Sequence, residues 1–315
     1  MVDVTHASDG DFRTSIAAFE AVVAAKLPEL IDAELRRILV MLDGSNQDLL
    51  SLGIAKALVR TKGEELVLAH AYEGERQEAK EQVLAERVAA FVAEGIPARA
   101  FERRAAPDLR SHQQILGMVE AEQPQLLICD APYLDDFDEL GYDSVGSNLD
   151  LLLARSPVPV LVVRDPALDP EDCLERLIVP VTPWDAELVQ AGAWAERLLS
   201  PGGTVRLLLI VDEERLRQSG VSEPFTIEEA DEEMLSGLYQ PSLAGLVAAM
   251  QKRASDRGHH CRVSLRSGDL PATILEYVED SPGLIVAATP RDPQAPLYQR
   301  TQALVRGSRW PVLVI

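Results

Sequence analysis

The residues able to do chemistry in this 315-residue chain fall into a few groups. The densest is acidic: Asp130, Asp135, Asp136, Asp138, Glu139 and Asp143 lie in one stretch that contains no Lys or Arg. Of these, Asp135, Asp136, Asp138 and Glu139 supply hard oxygen donors of the kind that can hold a divalent cation. Here, however, the spacing departs from the D-x-[DN]-x-[DN]-G calcium loop, and consecutive carboxylates diverge into solvent, so the run is expected to be solvated and no metal site is expected. His259-His260-Cys261 offers softer ligands, but neighbours entering a strand face opposite ways and cannot close on one ion. The spacing instead predicts the start of a strand through Arg262, Val263, Ser264 and Leu265. Among nucleophiles, Ser45, Ser147 and Cys129 lack a G-x-S-x-G elbow, and His70 and His112 have no partner that spacing can place. P-loop and Rossmann G-x-G-x-x-G patterns are absent as well. No catalysis is expected.

The elements that must position such residues occur twice. Arg37 to Leu42 is echoed by Arg176 to Val181 at an offset of 139, and Glu65 to Ala71 by Val205 to Val211 at 140. Leu126 to Cys129 is echoed by Leu284 to Ala287 at 158, and Val158 to Val163 by Trp310 to Ile315 at 152. These runs are short, continuously apolar and rich in β-branched residues, as strands are when helices cover both faces. Helical periodicity falls between them, over 48–62, 75–94 and 108–123. Strand alternating with helix predicts a parallel α/β sheet.

The growing offset places about 18 extra residues in the second half after its second strand, in an acidic insertion over 212–239. Six residues are missing before its last strand. The domain reading is therefore an amphipathic N-terminal helix over 1–36, a first domain over 37–164, a Pro- and Asp-rich linker over 165–175, and a second domain over 176–315.

Charge narrows the partners. Asp and Glu number 51 against 30 Lys and Arg, a net charge of -21, which repels phosphate backbones and anionic lipid heads, so no nucleic acid and no membrane partner is expected. Three unclustered cysteines, Cys129, Cys173 and Cys261, fit reduced thiols better than a disulfide framework. The start MVDVTHASDGDF lacks the basic and apolar regions of a secretory signal, and a cytoplasmic protein is expected. The leading helix could dock on its own chain or on a second copy, which would make a homodimer.

The run Ile38 to Ser45 with its terminal Asp43-Gly44-Ser45, the strand Leu66 to Ala71, then Val145-Gly146-Ser147, and the closing Ser156 to Arg164 together resemble the universal stress protein family. The likeness covers 37–164 well and 176–315 less well, so the chain looks like a tandem member. The resemblance implies a five-stranded parallel sheet of order 3-2-1-4-5 in each half, with the two halves joined through their fifth strands as an intramolecular pseudo-dimer. An exposed apolar edge strand is an aggregation hazard, which supplies a physical motive for that pairing.

Some members of the family bind ATP through a G-x2-G-x9-G-[S/T] loop after the fourth strand, where backbone N–H groups and a helix N-terminus approach phosphates. In this chain the first two glycine positions are Asp130 and Tyr133, and only Gly146-Ser147 survives, three residues farther along than the pattern asks. Two unit charges about 4 Å apart near a surface interact by about 4 kcal/mol at an effective dielectric of about 20, so a triphosphate would meet repulsion here. By the same resemblance Asp43 takes the position that contacts the nucleoside. It also sits where open α/β sheets bind ligands, although an ordinary turn residue is an equal reading of Asp43-Gly44-Ser45-Asn46. Candidate cofactor-binding residues are therefore Asp43, Gly146 and Ser147, in one half only.

In the second half Thr182 and Pro183 replace the Asp-Gly, Gln302 stands where the hydroxyl belongs, and Arg291 and Arg300 could at most hold an anion. The expected function is a non-catalytic interaction module in a stress response, with an unidentified protein partner, no cofactor and a degenerate ATP loop in both halves. The alternative is a binder of an adenine nucleotide or another small molecule in the first-half crevice.

Overall fold

A computed structural model of the chain describes residues 32–59, 64–71, 78–101, 109–131, 147–181, 188–211, 226–227, 241–289 and 295–315. The strands are β1 (Arg37–Leu42), β2 (Glu65–His70), β3 (Ala98–Ala100), β4 (Leu126–Asp130), β5 (Val160–Val163), β6 (Arg176–Val181), β7 (Thr204–Val211), β8 (Thr226–Ile227), β9 (His260–Ser267), β10 (Leu284–Ala287) and β11 (Val312–Val314). The helices are α1 (Asp48–Leu58), α2 (Glu78–Ala93), α3 (Ser111–Glu122), α4 (Ser147–Arg155), α5 (Pro170–Glu175), α6 (Leu188–Leu198), α7 (Pro241–Asp256), α8 (Leu270–Asp280) and α9 (Pro296–Gly307). None of the described helices is long and apolar enough to cross a membrane.

All the strands belong to one sheet in the order β3-β2-β1-β4-β5-β11-β10-β6-β7-β9-β8. Each half supplies a parallel set in the order 3-2-1-4-5, and the second half adds the antiparallel edge strand β8 against β9. At the centre β5 and β11 run antiparallel, with Val160 opposite Val314, Leu161 opposite Leu313 and Val162 opposite Val312.

Alternation along each buried strand builds two cores. Ile38, Val40, Leu42, Leu161 and Val163 face one side, where α1, α2, α5, α6 and α7 pack. Leu39, Met41, Val160 and Val162 face the other, under α3, α4, α8 and α9. Because the central strands are covered on both faces, their continuous apolar runs are satisfied, which is why these runs were readable as strands.

The register corrects one reading and refines another. Arg37 pairs with Glu65 and Arg176 with Thr204, so the second strand repeats at an offset of 139 rather than 140. Leu66 pairs with Ala98 but Val205 pairs with Cys261, so the second half is 24 residues longer between its second and third strands; Ile38 pairs with Leu126 and Leu177 with Leu284, so by the fourth strand the net excess is 19, close to the 18 counted from the sequence. The short third strand of the first half, with a polar centre at Arg99, gave no apolar run from which to count.

The segment read as a linker carries α5, started by Pro170 and by the Asp169 carboxylate, which accepts from Glu171 N–H at 2.8 Å. Its Pro170 ring lies against Gly53 of α1, where a Cβ would collide. Of the segment read as a leading helix, residues 32–36 are not helical and lead straight into β1; residues 1–31, and the acidic insertion apart from Thr226–Ile227, lie outside the described residues.

The halves are also tied by charge. Glu64, ahead of β2, pairs with Arg197 of α6, and Asp32 pairs with Arg253 of α7 and with Arg257 just after it, which also grip the buried Glu196 at 2.6 and 3.2 Å. On the opposite face Arg306 of α9 reaches Asp150 of α4 at 3.2 Å, and Tyr298 donates to the Asp150 carbonyl at 3.2 Å.

Candidate functional site

The carboxyl ends of β1, β2 and β4 open onto a crevice at the N-terminus of α1. Chain direction in β1 ends at Leu42, and the next residues form a tight turn. Ser45 N–H donates to Asp43 Oδ1 at 2.8 Å, the side-chain-to-backbone bond of an Asx turn. Gly44 adopts φ +91, a conformation that favours glycine, and this turns its N–H toward Asp48. Asp48, in the first turn of α1, accepts from Asp43 N–H at 3.1 Å and from Gly44 N–H at 3.0 Å. A carboxylate there also complements the helix dipole.

Asp130 closes β4. It is 0% exposed, although the four residues before it are the apolar Leu126, Leu127, Ile128 and Cys129. Ser51 of α1 donates to its Oδ1, and its carboxyl shares a hydrogen bond with the Asp48 carboxyl. One carboxylate oxygen from each of Asp43, Asp48 and Asp130 lies within 4.8 Å of the others. Burial pushes the Asp130 carboxyl well above the ordinary carboxylate range against the pull of the Ser51 hydrogen bond, and the Asp48 and Asp43 charges add to the rise. Burial raises Asp48 too, so Asp130 is the member that holds a proton when the crevice is otherwise empty.

Three further side chains frame the cluster. His70, at the end of β2, is buried with Nδ1 on the Leu42 carbonyl, and burial lowers its pKa so that the ring is neutral. Lys80 of α2 donates to the Asp43 carbonyl at 3.1 Å. Gln47 spans the ends of β4 and β5, donating to Ala131 O at 2.8 Å and Arg164 O at 2.6 Å.

Of the candidates read from sequence, Asp43 is half-buried at this crevice. Gly146 and Tyr133 lie outside the described residues, as do Asp135, Asp136, Asp138, Glu139 and Asp143; Ser147 begins α4 but its side chain is likewise outside them. Asp48, Ser51 and His70 were missed as site residues, and Asp130 was read as a lost glycine and as one acid of a solvated run. Their signal was an acid ending an otherwise apolar strand and a second acid opening the helix after β1. Cys129 is a buried core residue whose thiol burial pushes up, and His112 lies beside Asn148 at 3.4 Å. His260 and Cys261 enter β9, and no cluster around them has metal-ligand geometry among the described residues.

In the second half the described strand-end counterparts are apolar, while Gln190 takes the place of Ser51. The register places Leu209 at the His70 position and Ala288 at the Asp130 position. Thr182, Pro183 and Arg291 are outside the described residues. Gln302 does not line a ligand site; its amide donates to Asp150 Oδ1 of the first half at 3.2 Å. A separate cavity of about 280 Å³ lies at the seam between the halves, lined by Leu153, Pro157, Pro159, Gln190, Thr289 and Ile315.

No protein-family model matches the chain, and no curated protein matches it in sequence. Solved structures do match its fold. A universal stress protein from Archaeoglobus fulgidus DSM 4304 superposes with a TM-score of 0.63 at 15% identity, covering 89% of this chain and 98% of that one. A functionally unknown protein from Pseudomonas aeruginosa PAO1 gives a TM-score of 0.63 at 18% identity over 90% of this chain and 93% of its own. The chain thus has the α/β fold of universal stress protein structures across nearly its whole length.

Proposed function

We propose that the chain is a tandem universal stress protein of the cytoplasm, working as a non-catalytic interaction module whose first-half crevice has given up nucleotide binding. The observation that carries this is the Asp130 carboxylate, buried beside Asp43 and Asp48 at the position where the family's loop has its first glycine. An ATP phosphate needs close main-chain N–H groups there, and it would instead meet carboxylates. The acidic surface and the absence of a nucleophile elbow support a role in binding protein partners rather than in turnover. In this reading the β5–β11 pair imitates, within one chain, the dimer that the family resemblance implies.

Thermal melts of the full chain with MgATP, MgADP and Mg²⁺ alone test the reading. A ligand at a hundred times its dissociation constant stabilises by about 2.7 kcal/mol, so bound nucleotide would raise the melting temperature beyond the Mg²⁺ control. No increment is expected. A nucleotide-specific rise that Asp43→Ala abolishes would establish the alternative, a small-molecule binder that uses the first-half crevice.

A further inference from the structure

We infer that the cavity at the seam is a binding site for a small neutral aromatic molecule, an indole-sized ring with one hydrogen-bonding group. The reason lies in a break in the seam's symmetry. β5 and β11 run antiparallel about the facing Leu161 and Leu313, which relates Val160 to Val312 and Val162 to Val314. The loops that enter the two strands are built alike. Ser156 Oγ donates to Val158 O at 2.7 Å, and Ser308 Oγ donates to Trp310 O at 2.9 Å. Past the strands, Ala131 N–H donates to Val163 O at 2.8 Å and Thr289 N–H to Ile315 O at 3.1 Å. Val158 and Trp310 therefore hold matching positions at opposite ends of the seam.

Their side chains fill different volumes. Trp310 packs against the cores on both faces of the sheet, whereas Val158 packs against the one beneath α4 and α9 and not against the other. Pro311, next to Trp310, is buried, while Pro159, next to Val158, is only half-buried. The cavity of about 280 Å³ opens beside Val158, at the place that an indole takes on the other side. Leu153, Val160 and Val314 give it buried apolar walls. An apolar cavity of about 150 Å³ already admits a benzene ring, and water held against such walls is readily displaced. Gln190 of α6 is exposed at the rim, where its carboxamide can donate to or accept from a polar substituent. None of the described lining side chains is charged, which favours a neutral ring over a phosphate.

The site stands independently of the nucleotide question, since it shares no residue with the first-half crevice. Its probe is fluoroindole, titrated into the full chain and followed by fluorine nuclear magnetic resonance. One molecule per chain should bind with a dissociation constant on the order of 10⁻⁴ M, the affinity within reach of a ligand of about ten heavy atoms. Val158→Trp copies the other side of the seam and should abolish binding, while Val158→Ala keeps the space open and retains it. Gln190→Ala, at an exposed position where folding is not at risk, should weaken binding by about 5-fold, as the loss of one hydrogen bond predicts. Circular dichroism confirms that each variant is folded. Should Val158→Trp fail to fold, Gln190→Ala decides, and unchanged binding in it overturns the inference. No saturable binding to the wild-type chain overturns it, and so does binding that survives in folded Val158→Trp, because the probe then sits elsewhere.

Discussion

The two halves share one scaffold and part company at one end of it. In the first half the carboxyl ends of the strands carry His70 and Asp130; the same positions in the second half carry Leu209 and Ala288. At the seam they are alike: Leu161 and Leu313 face each other across β5 and β11, both fully buried. The fold therefore constrains the strand interiors and the shared edge in both copies, and leaves the strand ends free to become polar in one and apolar in the other. This is the usual division of labour in open α/β sheets, where the sheet interior sets stability and the ends of the strands carry ligands.

The largest effects should appear where the halves are alike. Leu161→Ala and Leu313→Ala should each cost about 2–5 kcal/mol in chemical denaturation, from lost burial plus the cavity left behind. The double variant should cost less than the sum, because the two side chains touch. Unequal costs on the two sides, or full additivity, would break the picture of an equivalent seam.

A smaller effect should separate equivalent positions. Gly53 in α1 and Gly192 in α6 are 139 residues apart, and a Cβ on either meets a neighbour. At Gly53 the neighbour is the rigid Pro170 ring of α5; at Gly192 it is the flexible end of Met250. Gly53→Ala should therefore destabilise by about 1–3 kcal/mol through overpacking. Gly192→Ala should stay within about 1 kcal/mol of wild type, because the methionine can move and alanine favours helix. Thermal denaturation of both variants gives the order.

The smallest effect concerns pH. Burial lowers the His70 pKa, so the unfolded chain binds this proton more readily than the folded one. His70 thus contributes stability that is present above its unfolded pKa of about 6.5 and lost as pH falls below it. His70→Leu, which copies the second half, should narrow the drop in melting temperature between about pH 7.5 and pH 5.5. An unchanged drop would mean that His70 does not distinguish the halves in this way.

Much of the architecture was legible because continuous apolar runs are unmistakable when a strand is covered on both faces. Arg37–Leu42, Arg176–Val181, Leu126–Asp130 and Leu284–Ala287 all announced themselves in this way. Ala98–Ala100 did not, being three residues with a polar centre, and the first third-strand pairing was needed to size the extra segment correctly. The cluster was hidden for a different reason. Asp48 and Asp130 are 82 positions apart, and only the parallel pairing of β1 with β4 brings them together. Periodicity reports which face a residue is on, not which distant residue shares its corner. Asp43 was visible because it follows β1 directly, whereas the only local hint that Asp130 is a buried carboxylate was its place at the end of an apolar strand.

The central claim is that the first-half crevice is closed to nucleotide phosphates, and calorimetric titration of MgATP into the full chain tests it most directly. The account predicts that the injections give no saturable heat beyond that of Mg²⁺ alone. A one-to-one isotherm that disappears in Asp43→Ala would contradict it.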